Sequence, residues 1–387
     1  MSEWKEYKLG DLTLDGKGHY GIAAPAVDYD SSKYTYLRIT DINDDGTLNK
    51  QGLKSVDDVN AGKYLLKPND IVFARTGASV GRSYFYDGSD GDLVYAGFLI
   101  KFSLDPNKVN PYMLKLYTHS QDYYDWIKSV DNGATRGNIN ALTFASMPIV
   151  LPSRYEQDKI AGVLGALDDK IDLLNRENAT LEVLAETLFR HYFIENPNPT
   201  WKAGKLGDEF DFTMGQSPSG DSFNEEGIGI PMYQGNADFG YRFPTKRVYT
   251  TQPTRFAETN DTLISVRAPV GVQNMATEKC CIGRGVALFR YKHNKEYYSY
   301  TYYKLKSLLE EIKTFNDNGT VFGSISKSDF ENIDVVIPDN GTIKTFQEQS
   351  KMIDEKICNN QHQIITLRTQ RDTLLSRLMG GEVKASE

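Results

Sequence analysis

The sequence predicts an α+β protein: two mixed α/β globular domains joined by two long antiparallel coiled-coil helices, with an internal pseudo-twofold repeat. Three observations predict it. Motifs of the first half recur, in order, in the second. Two stretches carry seam residues at unbroken 4,3 spacing. The rest alternates short apolar runs with turn residues, the pattern of short strands. The division is residues 1–152 for the first globular domain, 153–195 for a central helix, 196–338 for the second domain and 339–382 for a C-terminal helix.

Trp4-Lys5-x-x-Lys8-Leu9-Gly10-Asp11 reappears as Trp201-Lys202-x-x-Lys205-Leu206-Gly207-Asp208. Asn69-Asp70, an apolar stretch, Arg75 and Val80-Gly81 reappear as Asn260-Asp261, an apolar stretch, Arg267 and Val270-Gly271. Further on, Asn132-Gly133, Gly137, Ile139, Phe144 and Pro152 match Asn318-Gly319, Gly323, Ile325, Phe330 and Pro338 without gaps at an offset of 186. Within each copy, Asp44-Asp45-Gly46, Asp87-Gly88, Asn236 and Asn318-Gly319 signal turns. Ile71-Val72-Phe73-Ala74 and Thr262-Leu263-Ile264-Ser265-Val266 read as core strands, and helical spacing predicts short helices at 110–129 and 295–313.

After Pro152 the seam runs Ile160, Leu164, Leu167, Ile171, Leu174, Asn178, Leu181, Ala185, Leu188, Tyr192. After Pro338 it runs Phe346, Ser350, Ile353, Ile357, Asn360, Ile364, Leu367, Arg371, Leu374, Leu378. A sustained 3.5 period selects a partner helix, because a 3.6 stripe drifts off any seam. In full antiparallel register, facing positions sum to 538: Ile160 meets Leu378, Ile171 meets Leu367, and Asn178 meets Asn360. Two facing seam asparagines satisfy each other and fix register. About 33 helical residues at ~1.5 Å each span roughly 50 Å, more than the ~34 Å of one DNA turn.

A chain of 387 residues with 40% hydrophobic and 12% aromatic residues supports two or three cored domains. It has no run of 18 apolar residues, and its N-terminus lacks the apolar core of a signal peptide. Three cysteines, two of them adjacent (Cys280 and Cys281), point to reduced thiols and a cytoplasmic protein. Five scattered histidines give no metal cluster. Net charge is −8, and neither globular domain is basic: residues 1–152 carry 16 basic against 19 acidic side chains, residues 200–338 carry 16 against 17. Any nucleic-acid footprint is therefore a local patch, with the duplex shared by a more basic partner.

Catalytic motifs fail one by one. Asn196-Pro197-Asn198-Pro199 lacks the paired prolines and aromatic of an amino-methyltransferase loop and reads as a linker. Gly62-Lys63-Tyr64 is not a phosphate-binding loop. Pro338-Asp339 followed by Asp354-Glu355-Lys356 fits a nuclease pattern on paper, but Asp354 and Lys356 fall on the heptad helix and read as solvated positions. From these residues alone the reading is a two-headed coiled-coil adaptor, with DNA and proteins both open as ligands.

The repeat, the helices and the local motifs together resemble the specificity (S) subunit of type I restriction-modification enzymes, over the whole chain. The motifs are Tyr20-Gly21-Ile22-Ala23, Tyr36-Leu37-Arg38-Ile39-Thr40-Asp41-Ile42 and Asp70 to Gly77 in the first copy. In the second they are Gly215 to Gly220, Tyr233-Gln234-Gly235-Asn236, Ser265 to Gly271 and Ile282-Gly283-Arg284-Gly285. Glu156-Gln157-x-x-Ile160, Leu167-Asp168-Asp169-Lys170-Ile171 and Leu188-Phe189-Arg190 mark the first helix. The resemblance implies two target-recognition domains that each read half of a bipartite, asymmetric site in double-stranded DNA. It implies spacer helices that dock two methyltransferase (M) subunits, and restriction/translocase (R) subunits that join them. The chain itself is then non-catalytic and holds no cofactor, with S-adenosylmethionine and ATP on the partner subunits. One departure is that the Glu-Gln of helix one has no counterpart at offset 186, where Thr342 and Ile343 stand.

Arginine reads guanine bidentately, and Asn or Gln reads adenine; short polar side chains hold phosphates. The DNA-binding candidates are Arg38, Asn43, Arg75, Thr76, Ser79, Arg82 and Arg136 in the first copy, with Lys50, Asn132, Thr135 and Asn138 as lesser ones. In the second they are Gln216, Ser217, Ser219, Gln234, Asn236, Arg242, Lys246, Arg267, Gln273 and Arg284, with Asn274 beside them. Arg75 and Arg267 are placed at matching strand ends, each followed soon by a glycine that lets a DNA backbone approach.

Overall fold

A computed structural model of the chain describes residues 4–130, 138–314 and 324–379. Contacts gather the chain into two compact units: residues up to 173 together with those from 363 onward, and residues 174–362. Each unit thus owns one globule and part of both long helices.

In the first unit, a four-stranded antiparallel sheet has the order His19–Tyr20, Leu99–Ser103, Asp70–Ala74, Ser83–Tyr86. A second sheet runs Ala26–Asp28, Lys54–Val56, Thr35–Leu37, Leu93–Tyr95, its last pair parallel. Val72, Ala74 and Tyr84 of one sheet share a core with Leu37, Leu93 and Tyr95 of the other. The predicted helix at 110–129 is two helices, Pro111–Tyr117 and Gln121–Val130.

The second unit repeats this plan by itself. Its antiparallel sheet has the order Phe210–Met214, Val286–Tyr291, Thr262–Ser265, Gln273–Met275. Its other sheet contains a parallel pair, Ile230–Tyr233 with Cys280–Ile282, where Cys280 and Cys281 are buried. Helices Tyr298–Ser307 and Leu309–Thr314 occupy the region predicted as 295–313.

Structure gives the repeated motifs physical reasons. The carboxylates of Asp11 and Asp208 accept the backbone N–H groups of Lys8 (3.2 Å) and Lys205 (2.8 Å), closing the turn that follows the opening strand. Those opening strands, Lys5–Lys8 and Lys202–Lys205, pair with Pro148–Leu151 and Asp334–Ile337 just before the two shared prolines. Asn69 and Asn260 adopt left-handed backbone (φ 76° and 71°), which asparagine tolerates better than most residues. The aspartate after each accepts a backbone N–H three residues back, from Lys67 (2.8 Å) and Glu258 (2.6 Å).

The long helices are Arg154–Arg190, continued by a π turn over His191–Glu195, and Asn340–Met379. They run antiparallel. Within the first unit Ile160, Leu164 and Leu378 enter one core, with Leu374 against it. Within the second, Ala185, Ile353 and Ile357 are buried in one core, with Leu181 packed against it, and the rings of Tyr192 and Phe346 lie 6.3 Å apart. Asn360 Nδ2 donates to Asn178 Oδ1 at 2.9 Å, both side chains fully buried.

Asp354 corrects the sequence reading. It is not solvated but buried, 5% exposed, because a globule side chain reaches it across the helix surface.

Candidate nucleic-acid interface

Both units build the same backbone crossing from unlike side chains. In the first, Ala96 to Leu99 form a tight turn, Leu99 N–H donating to Ala96 O at 2.8 Å. Gly21 N–H reaches Leu99 O (3.2 Å), Ala96 N–H reaches Leu37 O (3.0 Å), and Arg75 N–H reaches Phe98 O (3.1 Å). In the second, Val286 N–H donates to Gly283 O (3.0 Å), Gly215 N–H to Val286 O (2.8 Å), Gly283 N–H to Tyr233 O (2.8 Å) and Val266 N–H to Gly285 O (2.9 Å). Bond for bond, Gly97-Phe98 corresponds to Arg284-Gly285. Glycine is required where the loops cross: a Cβ on Gly21 would sit 2.2 Å from Ala96 O, and one on Gly215 2.2 Å from Gly283 O.

This register corrects one sequence match. Arg75 is equivalent to Val266, since Ile139 N–H binds Arg75 O (3.0 Å) as Ile325 N–H binds Val266 O (3.2 Å). Arg267 is instead the partner of Thr76, their bridges running to Ser324 and Asn138. Arg75 stands six positions after Asn69, whereas Arg267 stands seven after Asn260.

The crossing gathers part of each candidate set. In the second unit Gln216, Ser217, Gln234 and Arg284 converge: Arg284 N–H donates to Ser217 Oγ at 3.2 Å, and a Cβ on Gly283 would touch Ser217 and Gln234. Arg267 follows Val266 on the adjoining strand end, and Gln216, Gln234, Arg267 and Arg284 are exposed. In the first unit Arg38, Arg75 and Thr76 adjoin it. The Arg75 guanidinium lies 5.0 Å over the Tyr20 ring. Arg38 is engaged by Asp41 through Nε (2.8 Å) and Nη2 (2.6 Å). The rest lie outside this crossing. Arg82 pairs with Asp44 (2.6 Å), Asn43 donates to Thr47, and Ser79 O accepts from Arg82 N–H. Lys246 pairs with Glu278, while Ser219 and Asn236 are exposed in short turns. Lys50 pairs with Asp90 at 3.0 Å. Arg136, Asn132 and Thr135 lie outside the described residues.

Burial removes three candidates. Arg242 is 1% exposed. Its Nη1 donates to both carboxylate oxygens of Glu182 (2.9 and 3.0 Å), its Nη2 to Asp354 (2.5 Å), and the guanidinium lies 3.4 Å over the Tyr302 ring. Gln273 is buried and donates to Tyr302 O at 2.8 Å; Asn274 is buried and tied to Gly240. Arg242 is therefore a clamp from the second globule onto both long helices.

The first unit has a clamp of its own. Asp168 on the first long helix accepts Tyr112 Oη (2.5 Å), Lys115 Nζ (3.0 Å) and Arg371 Nη1 (3.0 Å). Asp168 and Asp354 occupy equivalent repeat positions, 186 apart. Burial works against the Asp168 carboxylate, yet Lys115, Tyr112 and Arg371 hold its pKa below the usual range. Buried Glu209, bonded by Tyr300 Oη, is shifted the other way: desolvation raises it despite Lys304 and Tyr300. Two buried glutamines also tie globule to helix. Gln157 Oε1 accepts Asn110 N–H (3.0 Å), and Gln347 Oε1 accepts Tyr300 N–H (3.2 Å). Offset 186 places Gln157 opposite Ile343, so its counterpart has moved one helical turn along.

Sequence reasoning missed Tyr20, Phe98 and the clamping role of Arg242. A repeat signal was available for Asp354, in Asp168-Asp169-Lys170-Ile171 against Asp354-Glu355-Lys356-Ile357; none was available for the other three. Among the described residues no group of three or more His, Cys, Asp or Glu side chains could hold a metal, and no helix is long and apolar enough to cross a membrane.

Fold and site define a duplicated recognition protein, one frame presenting two sets of exposed side chains. The model of the type I restriction modification DNA specificity domain matches residues 1–183 and again 198–368, and the chain belongs to that family, whose function is DNA target recognition. A Methanocaldococcus jannaschii protein assigned as the MjaX specificity subunit of a type I restriction enzyme is 28% identical over 377 residues, covering 92% of this chain and 88% of its own. The type I restriction enzyme HindI specificity subunit of Haemophilus influenzae is 22% identical, covering 99% of this chain and 100% of its own. The crystal structure of the type I restriction-modification S subunit from M. genitalium shares the fold, with a TM-score of 0.60 at 17% identity over 97% of this chain and 96% of that one.

Proposed function

We propose that each unit reads one half of a bipartite, asymmetric DNA target, and that the two long helices set the spacer and dock two methyltransferase subunits, which restriction subunits join. The chain works in the cytoplasm and catalyses nothing itself; S-adenosylmethionine and ATP belong to the partners. The observation that carries this reading is the shared crossing. Both units keep the glycine-dependent backbone, yet one turn tip offers Phe98 beside Arg75, and the other offers Arg284 beside Gln216 and Gln234. Arg, Gln and Asn are the side chains that read guanine and adenine edges. Two different tips specify two different half-sites. With a net charge of −8, the phosphate contacts must come in part from the partners.

Helix length is the test. Removing one heptad from both long helices shortens them by about 10 Å, roughly three base pairs of duplex. Mapping methylated adenines in cells carrying that complex should show a shorter spacer between unchanged half-sites. An unchanged spacer would refute the role given to the helices.

A further inference from the structure

Phe98 is 57% exposed, a large apolar side chain that enters none of the aromatic ring pairs among the described residues. It is not on a loose loop. Its own carbonyl accepts Arg75 N–H, the flanking residues close the turn through Leu99 N–H and Ala96 O, and Gly21 N–H anchors Leu99 from the neighbouring strand. An exposed phenyl on a fixed turn costs hydration, and packing within the unit does not relieve that cost. Its neighbours are of the kind that read DNA. Arg75 lies against Tyr20, whose hydroxyl is held by Ala141 N–H at 3.1 Å. The equivalent turn of the second unit puts a guanidinium, Arg284, at its tip.

We infer that Phe98 is a specificity-determining residue of the first head and contacts the 5-methyl group of a thymine in the first half-site. The proposal rests on the reading of that head as a DNA reader. In the major groove the thymine methyl is the one apolar feature of a base edge, and a phenyl at a rigid tip matches it as a guanidinium matches guanine.

The experiment uses the chain assembled with its methyltransferase subunits and the duplex identified by mapping methylated adenines. Each thymine of the first half-site is replaced in turn by deoxyuridine, which deletes only the methyl. Wild-type complex should lose about fourfold in affinity at one position, the equivalent of one buried CH₂. A complex carrying Phe98→Ala should bind thymine and deoxyuridine there equally, and Phe98→Leu should keep part of the preference. Arg284→Ala should alter only the second half-site. Equal wild-type binding to every deoxyuridine duplex, or a first half-site without thymine, overturns the role of Phe98 and leaves the head a DNA reader. Absence of any sequence preference that responds to Phe98, Arg75 or Arg284 overturns the underlying reading as well.

Discussion

The two heads differ most where their backbones agree best. Each closes its opening turn with Lys-Leu-Gly-Asp, turns a core strand on a left-handed asparagine, and crosses loops at a glycine too tight for a Cβ. On that frame the first head mounts Phe98 and a stacked Arg75, the second Arg284 with Gln216 and Gln234. Their clamps differ too. Asp168 is held by Tyr112 and by two partly exposed cations, Lys115 and Arg371, whereas Asp354 is held by Tyr303 and by one cation, Arg242, that is almost wholly buried. Duplication kept what the fold needs, and divergence collected where a ligand, or one particular globule, must be matched.

The largest effect should come from breaking the buried clamp. Arg242→Ala leaves the buried Asp354 carboxylate without its cation, while Glu182 keeps Lys306, and removing one partner of a buried ion pair costs about 3–5 kcal/mol. Hydrogen exchange should show residues 174–362 losing protection while the first unit keeps its own. Lys115→Ala, in the more exposed clamp, should cost much less. Comparable losses would erase the distinction between the clamps.

The seam asparagines come next. Asn178→Leu alone removes the buried seam partner of the Asn360 amide and leaves it only the Glu177 carboxylate at 3.0 Å, a loss of about 1 kcal/mol. The double replacement by leucine should recover stability and give mixed helix registers, read by disulfide trapping at paired seam positions. A single register in the double variant would deny the pair its role.

Smallest are two opposed pH effects. Asp168 has a depressed pKa, so its stabilisation is full above the ordinary carboxylate range and fades as pH falls through the folded value. Glu209 has a raised pKa, so its share is full below the ordinary range and is lost as pH rises through the folded value. Local protection factors, exchange rates divided into their intrinsic values at each pH, should therefore slope in opposite directions in the two units between pH 3 and 7. Asp168→Asn should flatten the first slope and Glu209→Gln the second.

Much of the frame was legible in the sequence because it is periodic or repeated. The heptads gave two antiparallel helices, and the 186 offset located equivalent strands and prolines. The tips were only partly legible. Gln216, Gln234 and Arg284 have the right chemistry and sit at the crossing, but Arg242 has the same chemistry and lies buried under Tyr302. Side-chain type does not encode exposure, and Arg242 lies in a loop with no period to betray which way it faces. Phe98 escaped for the converse reason, since a phenylalanine beside a strand reads as core. The match of Arg75 to Arg267 failed because it followed residue type over spacing: Arg75 stands six positions after Asn69 and Arg267 seven after Asn260, and the backbone hydrogen bonds set the register on Val266.

The central claim is that two independent heads on one frame each read their own half-site. Exchanging residues 1–150 for the corresponding stretch of a related chain, then mapping methylated adenines in cells carrying the hybrid complex, tests it most directly. One half-site should change, while the other and the spacer stay as they were. A change in both half-sites would contradict it.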